Sequence, residues 1–346
     1  MYHGFRDWLN KAGAEVPKTT DELYEVLKKF KELNIAPDAV PVSMDLGDNA
    51  YFNNDKLRPW LSMFSLSLQM GEAGKIENDT FKLWLDSENY KEMLLFTHKL
   101  FEEKLLDNNT FTNDVTKVNA LSTANKVGLS FGQTTAFVDT QIFKGIAPPK
   151  SKFGDPTVTS ASVARDGGTF AITNSNKYPE ATIRWIDYFY GEEGSEFFRF
   201  GIEGVTYTKD SNGNPKYSDE IMNFKPSPQQ AIGKFTFWPG AGAPHIITAK
   251  NAGIITSPLI EDAQDALEPY MPDVVYGEPL MDPSDADKFS AMQEDIRKFV
   301  RESMARFIID GVTEEKWSQY KQTLQTLGID EYEAYYQRAL DGYNKN

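Results

Sequence analysis

The chain has 346 residues, of which 40% are hydrophobic and 13% aromatic, enough for one large core or two medium ones. The chain has 36 lysine and arginine residues against 51 aspartate and glutamate residues, which gives a formal net charge of -15. Because no basic stripe could follow a phosphate backbone, we expect no nucleic acid partner. The absence of cysteine excludes disulfides, a thiolate zinc site and a cysteine nucleophile, and no run of about 18 apolar residues suggests a membrane span.

The N-terminal part begins with a predicted amphipathic helix. Thr19 stands three residues before Glu22, which is the spacing of a capping box, and an apolar stripe follows. That stripe consists of Leu23, Val26, Leu27 and Phe30. Residues 34–79 are rich in proline, glycine, asparagine and aspartate, which predicts loops around a strand and a short helix.

Two helices and two strands are predicted in the middle of the chain. One helix runs from about Ser87 to Leu105, and the strands occupy the apolar runs at Lys126–Gly132 and Gly168–Thr173. The other helix begins at Pro179, because proline suits the first helical position. We expect its apolar face to lie in the core. This face consists of Thr182, Trp185, Ile186, Phe189 and Tyr190.

The rest of the chain divides into an irregular stretch and a strongly helical end. Residues 207–287 hold many glycines and prolines and predict loops and short helices. The C-terminal region predicts three helices, the second of which ends at Gly328. Because strands alternate with helices and no linker is evident, we expect an α/β fold whose lobes are joined by crossing chain segments.

No catalytic or metal-binding motif stands out. His3, His98 and His245 are not spaced as metal ligands, and none stands in a hydrolase-type arrangement with serine and aspartate. The sequence has no phosphate-binding loop, dinucleotide fingerprint or EF-hand loop, so we expect no cofactor and no metal ion. The run Asp210–Pro215 lacks a distal glutamate and indicates a turn.

Glu203 lies in the run Gly201-Ile202-Glu203-Gly204 and allows two interpretations. A pair of carboxylates could form a glycosidase site, and Glu203 is the best single candidate for its acid or base. The alternative is a structural turn residue between a helix and a strand.

Two tryptophans differ from the others in their surroundings. Trp60 and Trp238 lie in the proline-flanked contexts "RPWLSMF" and "TFWPGAGAP" and not on a core stripe. The C–H faces of sugar rings stack on indole while the sugar hydroxyls need fixed polar partners, so these residues favour a carbohydrate pocket. The alternative, that both close the core over long loops, stays open.

Four stretches carry a family resemblance across most of the chain. They are "FRDWLNKAGAEVPKTTDELYEVLKKFKE", "SENYKEMLLFTHKLFEEKLLDNNTFTND" with "ANKVGLSFG", "GTFAITNSNKYPEATIRWIDYFYGEEGSEFFRFGIEGVTY" and "WSQYKQTLQTLGIDEYEAYYQRALDGY". They resemble the extracellular solute-binding proteins of ABC importers, family 1, and within it Gram-positive lipoproteins related to alginate- and pectin-oligosaccharide binders.

The resemblance implies a helix-rich, two-lobed periplasmic-binding-protein fold of type II. Since the family has a further N-terminal segment with a lipobox cysteine, we expect one lobe to be incomplete in this chain. Residues 1–174 would belong to a C-terminal-type lobe, 175–285 to the hinge crossing and an N-terminal-type lobe, and 286–346 to helices that pack back on the first lobe.

The resemblance also implies a role. It describes a monomeric receptor at the extracellular face of the membrane, lipid-anchored in its full-length form. Such a receptor captures an oligosaccharide between its lobes and delivers it to ABC permease subunits without catalysis. A polysaccharide-active enzyme using Glu203, and a scaffold with a vestigial cleft, remain as alternatives.

Departures from the family pattern change the expected pocket. A maltose-binding relative has stacking tryptophans where this chain has Gln133 and Thr134 after one strand, and Gln293 in a C-terminal helix. We therefore expect a pocket that is more polar, or that uses the two loop tryptophans. The calcium loop of some alginate-type relatives is absent from residues 34–45.

The charge of the chain favours a neutral or mildly acidic oligosaccharide. Arg165 would bind an acidic sugar through a bidentate contact, with an ordinary surface arginine as the alternative. The full set of expected ligand-binding residues is Trp238, Trp60, Glu203, Gln133, Thr134, Arg165, Tyr207 and Gln293.

Overall fold

The computed structural model describes residues 2–47, 52, 57–131, 143–160, 164–165, 170–224, 228–236, 245–247, 258–279 and 281–344. The chain forms two compact units, unit 1 from Met1–Ser160 with Ser257–Asn346 and unit 2 from Ala161–Thr256. Both combine helices with strands, so the predicted α/β class is confirmed. The assignment of residues 1–174, 175–285 and 286–346 to particular lobes stays a prediction.

The strands of the described residues are short. They are β1 (Tyr2–Phe5), β2 (Val40–Val42), β3 (Gly74–Glu77), β4 (Thr80–Leu83), β5 (Val127–Phe131), β6 (Phe143–Ile146), β7 (Ala164–Arg165), β8 (Tyr207–Lys209), β9 (Pro215–Tyr217) and β10 (His245–Ile246).

The helices fall into an N-terminal group, a group in unit 2 and a C-terminal group. They are α1 (Arg6–Ala12), α2 (Thr20–Leu33), α3 (Leu57–Ser62), α4 (Glu88–Glu102), α5 (Val115–Thr123), α6 (Pro179–Tyr188), α7 (Glu192–Phe200), α8 (Asp219–Met222), α9 (Pro228–Ile232), α10 (Pro258–Leu267), α11 (Ala286–Asp310), α12 (Glu314–Thr326) and α13 (Ile329–Tyr343).

Unit 1 is built on a four-stranded sheet of order β2-β5-β1-β6. β2 runs parallel to β5, while β1 is antiparallel to both β5 and β6. In this register Tyr2 lies opposite Phe131 on one side and Ile146 on the other. The carboxyl ends of β2, β5 and β6 therefore meet at one edge of the sheet.

Local sequence signals place the helices of unit 1. The Thr19 hydroxyl accepts a hydrogen bond from the Glu22 N–H at 3.1 Å, while the Glu22 carboxylate accepts one from the Lys18 N–H at 2.7 Å. The predicted cap of α2 is thus confirmed. The hydrogen bond to the Glu22 carboxylate comes from the N–H of Lys18, one residue before the N–H of Thr19 that a standard capping box uses. Gly328 follows α12 in the left-handed region at φ 84, as its position after the apolar stripe predicts.

Aromatic side chains fill the core of unit 1. Trp8 meets Phe30 edge to face with ring centroids 5.4 Å apart, and Trp317 stacks on Tyr320 at 5.0 Å. α11 packs on α4, and α13 packs on β4 of the hairpin β3–β4. The C-terminal helices therefore close the core that the N-terminal part of the chain begins.

Unit 2 has a much smaller core. Its described strands form only two-stranded pairs, β8 with β9 and β7 with β10. The buried hydrophobic cluster around the hairpin β8–β9 is formed by Phe200, Tyr207, Tyr217, Ile221, Ala231 and Ile232.

Two predictions for unit 2 are wrong. The strand predicted at Gly168–Thr173 is not formed in its described part, where residues 170–173 pair with no strand. Trp185 was expected in the core but is 59% exposed on α6, where Ile186 is the buried residue. The Trp185 ring contacts those of Phe170, at a centroid distance of 6.4 Å, and Phe189, at 5.8 Å, and these contacts leave more than half of the side chain exposed.

We predict that Gly128→Ala destabilises unit 1. A Cβ atom at this position in β5 would lie 2.4 Å from Cδ2 of Phe30 and 2.8 Å from Cε3 of Trp8, so two buried rings would have to move. We expect a loss of about 1–3 kcal/mol of unfolding free energy, measured by urea denaturation. The control Gly342→Ala, in α13 with no atom within 4 Å of the new Cβ, should be neutral or slightly stabilising. Equal effects of both substitutions would contradict the tight packing.

Candidate functional site

The candidate site of unit 1 is the sheet edge where β2, β5 and β6 end. In open α/β sheets, ligands bind outside the carboxyl ends of the strands. Gln133 and Thr134 come two and three residues after Phe131, the last residue of β5, and lie outside the described residues. Their expected contact with a ligand stays a prediction.

Trp60 lies directly behind this edge. Its ring packs edge to face on Phe131 with centroids 5.5 Å apart, and its indole N–H donates a hydrogen bond to the Thr97 hydroxyl at 2.8 Å. The side chain is 0% exposed. The expectation that Trp60 stacks on a sugar is therefore corrected: both its ring and its polar group are used within the core, the alternative that the sequence left open.

Gln293 takes part in a polar network between α11 and α13. Its Nε2 donates hydrogen bonds to the hydroxyls of Tyr332, at 3.1 Å, and Tyr336, at 3.3 Å. The Tyr332 hydroxyl in turn donates to the Glu72 carboxylate at 2.5 Å, and Arg297 pairs with the same carboxylate at 3.0 Å. The half-buried amide of Gln293 thus lies at one end of a chain of polar groups, and its expected ligand contact stays a prediction.

Glu72 is the centre of this network, although sequence reasoning did not find it. Its side chain is fully buried and also accepts a hydrogen bond from the Ala73 N–H at 2.8 Å. Burial, together with the Glu72 charge, raises the pKa of Tyr332 far above its usual range, so its hydroxyl stays a proton donor. The spacing of four residues between Gln293 and Arg297, and between Tyr332 and Tyr336, is the signal that could have indicated the network.

Glu203 lies in the turn between α7 and β8 of unit 2. Gly201 and Gly204 have positive φ values of 81 and 78, and the Ile202 N–H is held by the Thr206 hydroxyl at 2.7 Å. The Glu203 side chain is 58% exposed, with its carboxylate 3.9 Å from the Lys209 ammonium. These are the surroundings of a surface turn residue, and the pocket that a catalytic acid needs is not formed around it by the described residues.

Tyr207 begins β8, close to Glu203, and its ring is buried. It packs on Phe200 with centroids 5.4 Å apart, and its hydroxyl donates a hydrogen bond to Glu196 at 2.6 Å. Burial raises the pKa of Tyr207 well above its usual range. The ring and the hydroxyl of Tyr207 are therefore both used in packing within unit 2. The expected contact of Tyr207 with a ligand stays a prediction.

The remaining expected residues are Arg165 and Trp238. The backbone of Arg165 pairs with His245 through β7 and β10, and Trp238 lies outside the described residues. The structure therefore brings Glu203 and Tyr207 together in unit 2 and places Trp60 and Gln293 in unit 1.

The structure gives no group of described side chains that could hold a metal ion. The Asp210 carboxylate, which a calcium loop would use, accepts hydrogen bonds from the backbone N–H groups of Asn212 at 2.8 Å and Asn214 at 2.9 Å. These bonds hold the pKa of Asp210 below its usual value and form the turn that the sequence predicts between β8 and β9. Within the described ranges, no helix is both long and apolar enough to span a bilayer.

A groove of 780 Å³ opens at the opposite end of the unit 1 sheet, where β2 and β5 begin. Its lining includes four lysines, Lys31, Lys104, Lys117 and Lys126. The position of this groove, at the amino ends of the strands, separates it from the candidate edge.

A family comparison decides the class of the protein. The sequence model of the family described as bacterial extracellular solute-binding protein matches residues 6–196, more than half of the chain. The chain belongs to this family. It is 28% identical, over 99% of its length, to the fructooligosaccharide ABC transporter substrate-binding protein FusA of Streptococcus pneumoniae, and it spans 65% of that relative.

Solved structures agree with this membership. The structure of S. pneumoniae FusA in complex with kestose matches with a TM-score of 0.75 and 25% identity, covering 100% of this chain and 72% of its own. An ABC-transporter-associated solute-binding protein from Bifidobacterium longum infantis, described as HMO-binding, matches with a TM-score of 0.78 and 22% identity over 99% of this chain and 73% of its own. The two-lobed solute-binding fold expected from the sequence is thereby confirmed.

We predict that Tyr332→Phe and Tyr90→Phe differ in their effects on stability. Tyr332→Phe removes the hydrogen bond to the buried Glu72 carboxylate and should cost about 1–3 kcal/mol. The Tyr90 hydroxyl is buried and has no hydrogen-bond partner among the described residues, so Tyr90→Phe should be neutral or stabilising. Urea unfolding at pH 7 measures both, and a larger loss for Tyr90→Phe would contradict the network.

The same two tyrosines predict how stability changes with pH. Burial raises the pKa of both above the unfolded value of about 10, so above that pH the unfolded chain loses protons first. The titration of these two hydroxyls should leave the unfolding free energy constant below about pH 10 and lower it as the pH rises further. Tyr90→Phe should make the decline shallower by about one proton, measured as unfolding free energy between pH 9 and 11. An unchanged slope would contradict the burial of the Tyr90 hydroxyl.

Proposed function

We propose that the chain is the substrate-binding component of an ABC-type sugar importer, which captures an oligosaccharide and delivers it to membrane permease subunits. Membership of the extracellular solute-binding family carries this proposal. The oligosaccharide ligands named for its relatives, kestose among them, support the ligand class. The chain spans 65% of the length of S. pneumoniae FusA.

The ligand that we propose is a neutral oligosaccharide bound by stacking and hydrogen bonds. Trp238 would supply an indole face for the C–H side of a sugar ring, and Gln133, Thr134 and Gln293 would supply neutral polar partners for its hydroxyls. A net charge of -15 disfavours a polyanionic sugar. Arg165 remains the residue that we would assign to an acidic sugar, should one bind.

The proposed receptor binds without catalysis. Relatives with similar chains are named as binding proteins, which supports this part of the proposal. We further propose that it acts as a monomer outside the cell of a Gram-positive bacterium, lipid-anchored in its full-length form and without nucleic acid partners.

Ligand binding is tested by thermal unfolding with a panel of neutral and acidic oligosaccharides that includes kestose. A ligand at 100 times its Kd adds about 2.7 kcal/mol to stability, so a binding sugar should raise the unfolding temperature measurably. Trp238→Ala should weaken binding at least about tenfold, because stacking on the indole is lost. The control Tyr343→Ala, an exposed aromatic residue of unit 1, should leave affinity unchanged.

Two outcomes would overturn this proposal. One is the absence of a shift with every sugar in the panel. The other is the release of shortened sugars, abolished by Glu203→Gln, which would favour the enzyme that the sequence left open.

A further inference from the structure

The side-chain amide of Gln293 presents one half to the protein and the other half to solvent. Its Nε2 donates hydrogen bonds to the hydroxyls of Tyr332, at 3.1 Å, and Tyr336, at 3.3 Å. Its Oε1 accepts no hydrogen bond from the described residues and is not fully buried. Because an amide oxygen has two acceptor positions, this atom is available to an O–H group outside the protein.

The protons of the two tyrosines decide which half of the amide faces outward. Burial raises the pKa of Tyr332 and of Tyr336 far above the usual range, so each hydroxyl keeps its single proton. Tyr332 donates its proton to the Glu72 carboxylate at 2.5 Å. A rotation of the Gln293 amide by half a turn would therefore place two acceptor oxygens, Oε1 and the Tyr332 hydroxyl, 3.1 Å apart with no proton between them.

The groups that hold the amide are buried and tightly packed. Glu72 and Tyr332 are 0% exposed, and Tyr336 is 2% exposed. The Tyr336 ring stacks on Phe81 with centroids 4.9 Å apart, and the Tyr332 ring stacks on Phe289 at 5.4 Å. A binding group supported in this way is already in place before its ligand arrives, which lowers the entropic cost of binding.

The positive charge beside Gln293 is balanced within the protein. Arg297 lies one helical turn further along α11 and pairs with the Glu72 carboxylate through Nη2 at 3.0 Å and Nε at 3.2 Å. A ligand carboxylate at Gln293 would meet an acceptor oxygen and a cation that is already paired. It would lose its hydration without gaining a charge partner, whereas a neutral hydroxyl would find an acceptor.

We propose that the buried network of Glu72, Tyr332 and Tyr336 fixes Gln293 as a hydrogen-bond acceptor, so that the receptor selects a hydroxyl of its sugar at this point and rejects a carboxylate. Gln293 contacts the ligand, and the three buried residues are positioning residues. The inference rests on the proposed function and specifies the chemistry of one of its contacts.

The orientation of the amide is tested without ligand, by nuclear magnetic resonance on a chain with isotope-labelled glutamine. The Nε2 protons of Gln293 should exchange with solvent at least about tenfold more slowly than those of the exposed Gln322 in α12. Tyr336→Phe removes one of their two acceptors and should raise the exchange rate at least about threefold. The matched control is Tyr335→Phe, since the Tyr335 ring is buried in the same helix but its hydroxyl takes no part in the network, and the rate should stay unchanged.

The selection of a hydroxyl is tested by calorimetric titration with kestose and with trigalacturonic acid. Gln293→Met removes the acceptor with little change in size and should weaken kestose binding about three- to tenfold. Tyr336→Phe should weaken kestose binding in the same direction, and Tyr335→Phe should leave it unchanged. The wild-type chain should bind kestose more tightly than trigalacturonic acid.

Fast exchange of the Gln293 amide in the wild-type chain would overturn the inference, as would unchanged kestose affinity in Gln293→Met or tighter binding of the acidic sugar. A wild-type chain that binds no sugar gives a different result. It overturns the proposed function together with the selection of a hydroxyl, while the exchange rates still decide whether the network fixes the amide.

Discussion

The structure depends on one constraint, which is that each element must bury enough apolar surface to offset the conformational entropy lost when it is ordered. Unit 1 meets this constraint within the chain, because α11, α12 and α13 return from the C-terminus and cover a core of tryptophan, tyrosine and phenylalanine rings. Among the described residues of unit 2, the buried hydrophobic cluster is the smaller one around Phe200, Tyr207 and Tyr217. Two apolar side chains of α6, Ile183 and Trp185, are more than half exposed.

Local signals in the sequence were sufficient for α2, α4, α6, the three C-terminal helices and β5. The hydroxyl of Thr19 and the N–H of Glu22 are three residues apart, so their hydrogen bond depends on no distant residue. Pro179 at the start of α6 and Gly328 after α12 act through their own backbone preferences. These features are fixed within one helical turn, and for that reason periodicity and turn chemistry predict them.

Features that depend on distant residues were not predictable in the same way. A proline-flanked context cannot show that Trp60 is covered by Phe131, some seventy residues away, and the expected sugar contact failed for this reason. Glu72 meets Arg297 and Tyr332 only because the hairpin β3–β4 and the C-terminal helices pack together. The prediction for Trp185 was wrong in the opposite sense. The apolar stripe of α6 was recognised, but the Trp185 side chain that was expected in the core is 59% exposed.

The difference between the two units is measured most directly by amide hydrogen exchange on the 346-residue chain. Protection reports the free energy of local opening, which is low where few apolar contacts are buried. Amides of β5, α4 and α11 in unit 1 should exchange at least about a hundredfold more slowly than those of α6 and α7 in unit 2. Equal protection of α6 and α4 would contradict the conclusion that unit 1 holds the larger buried core of the described residues.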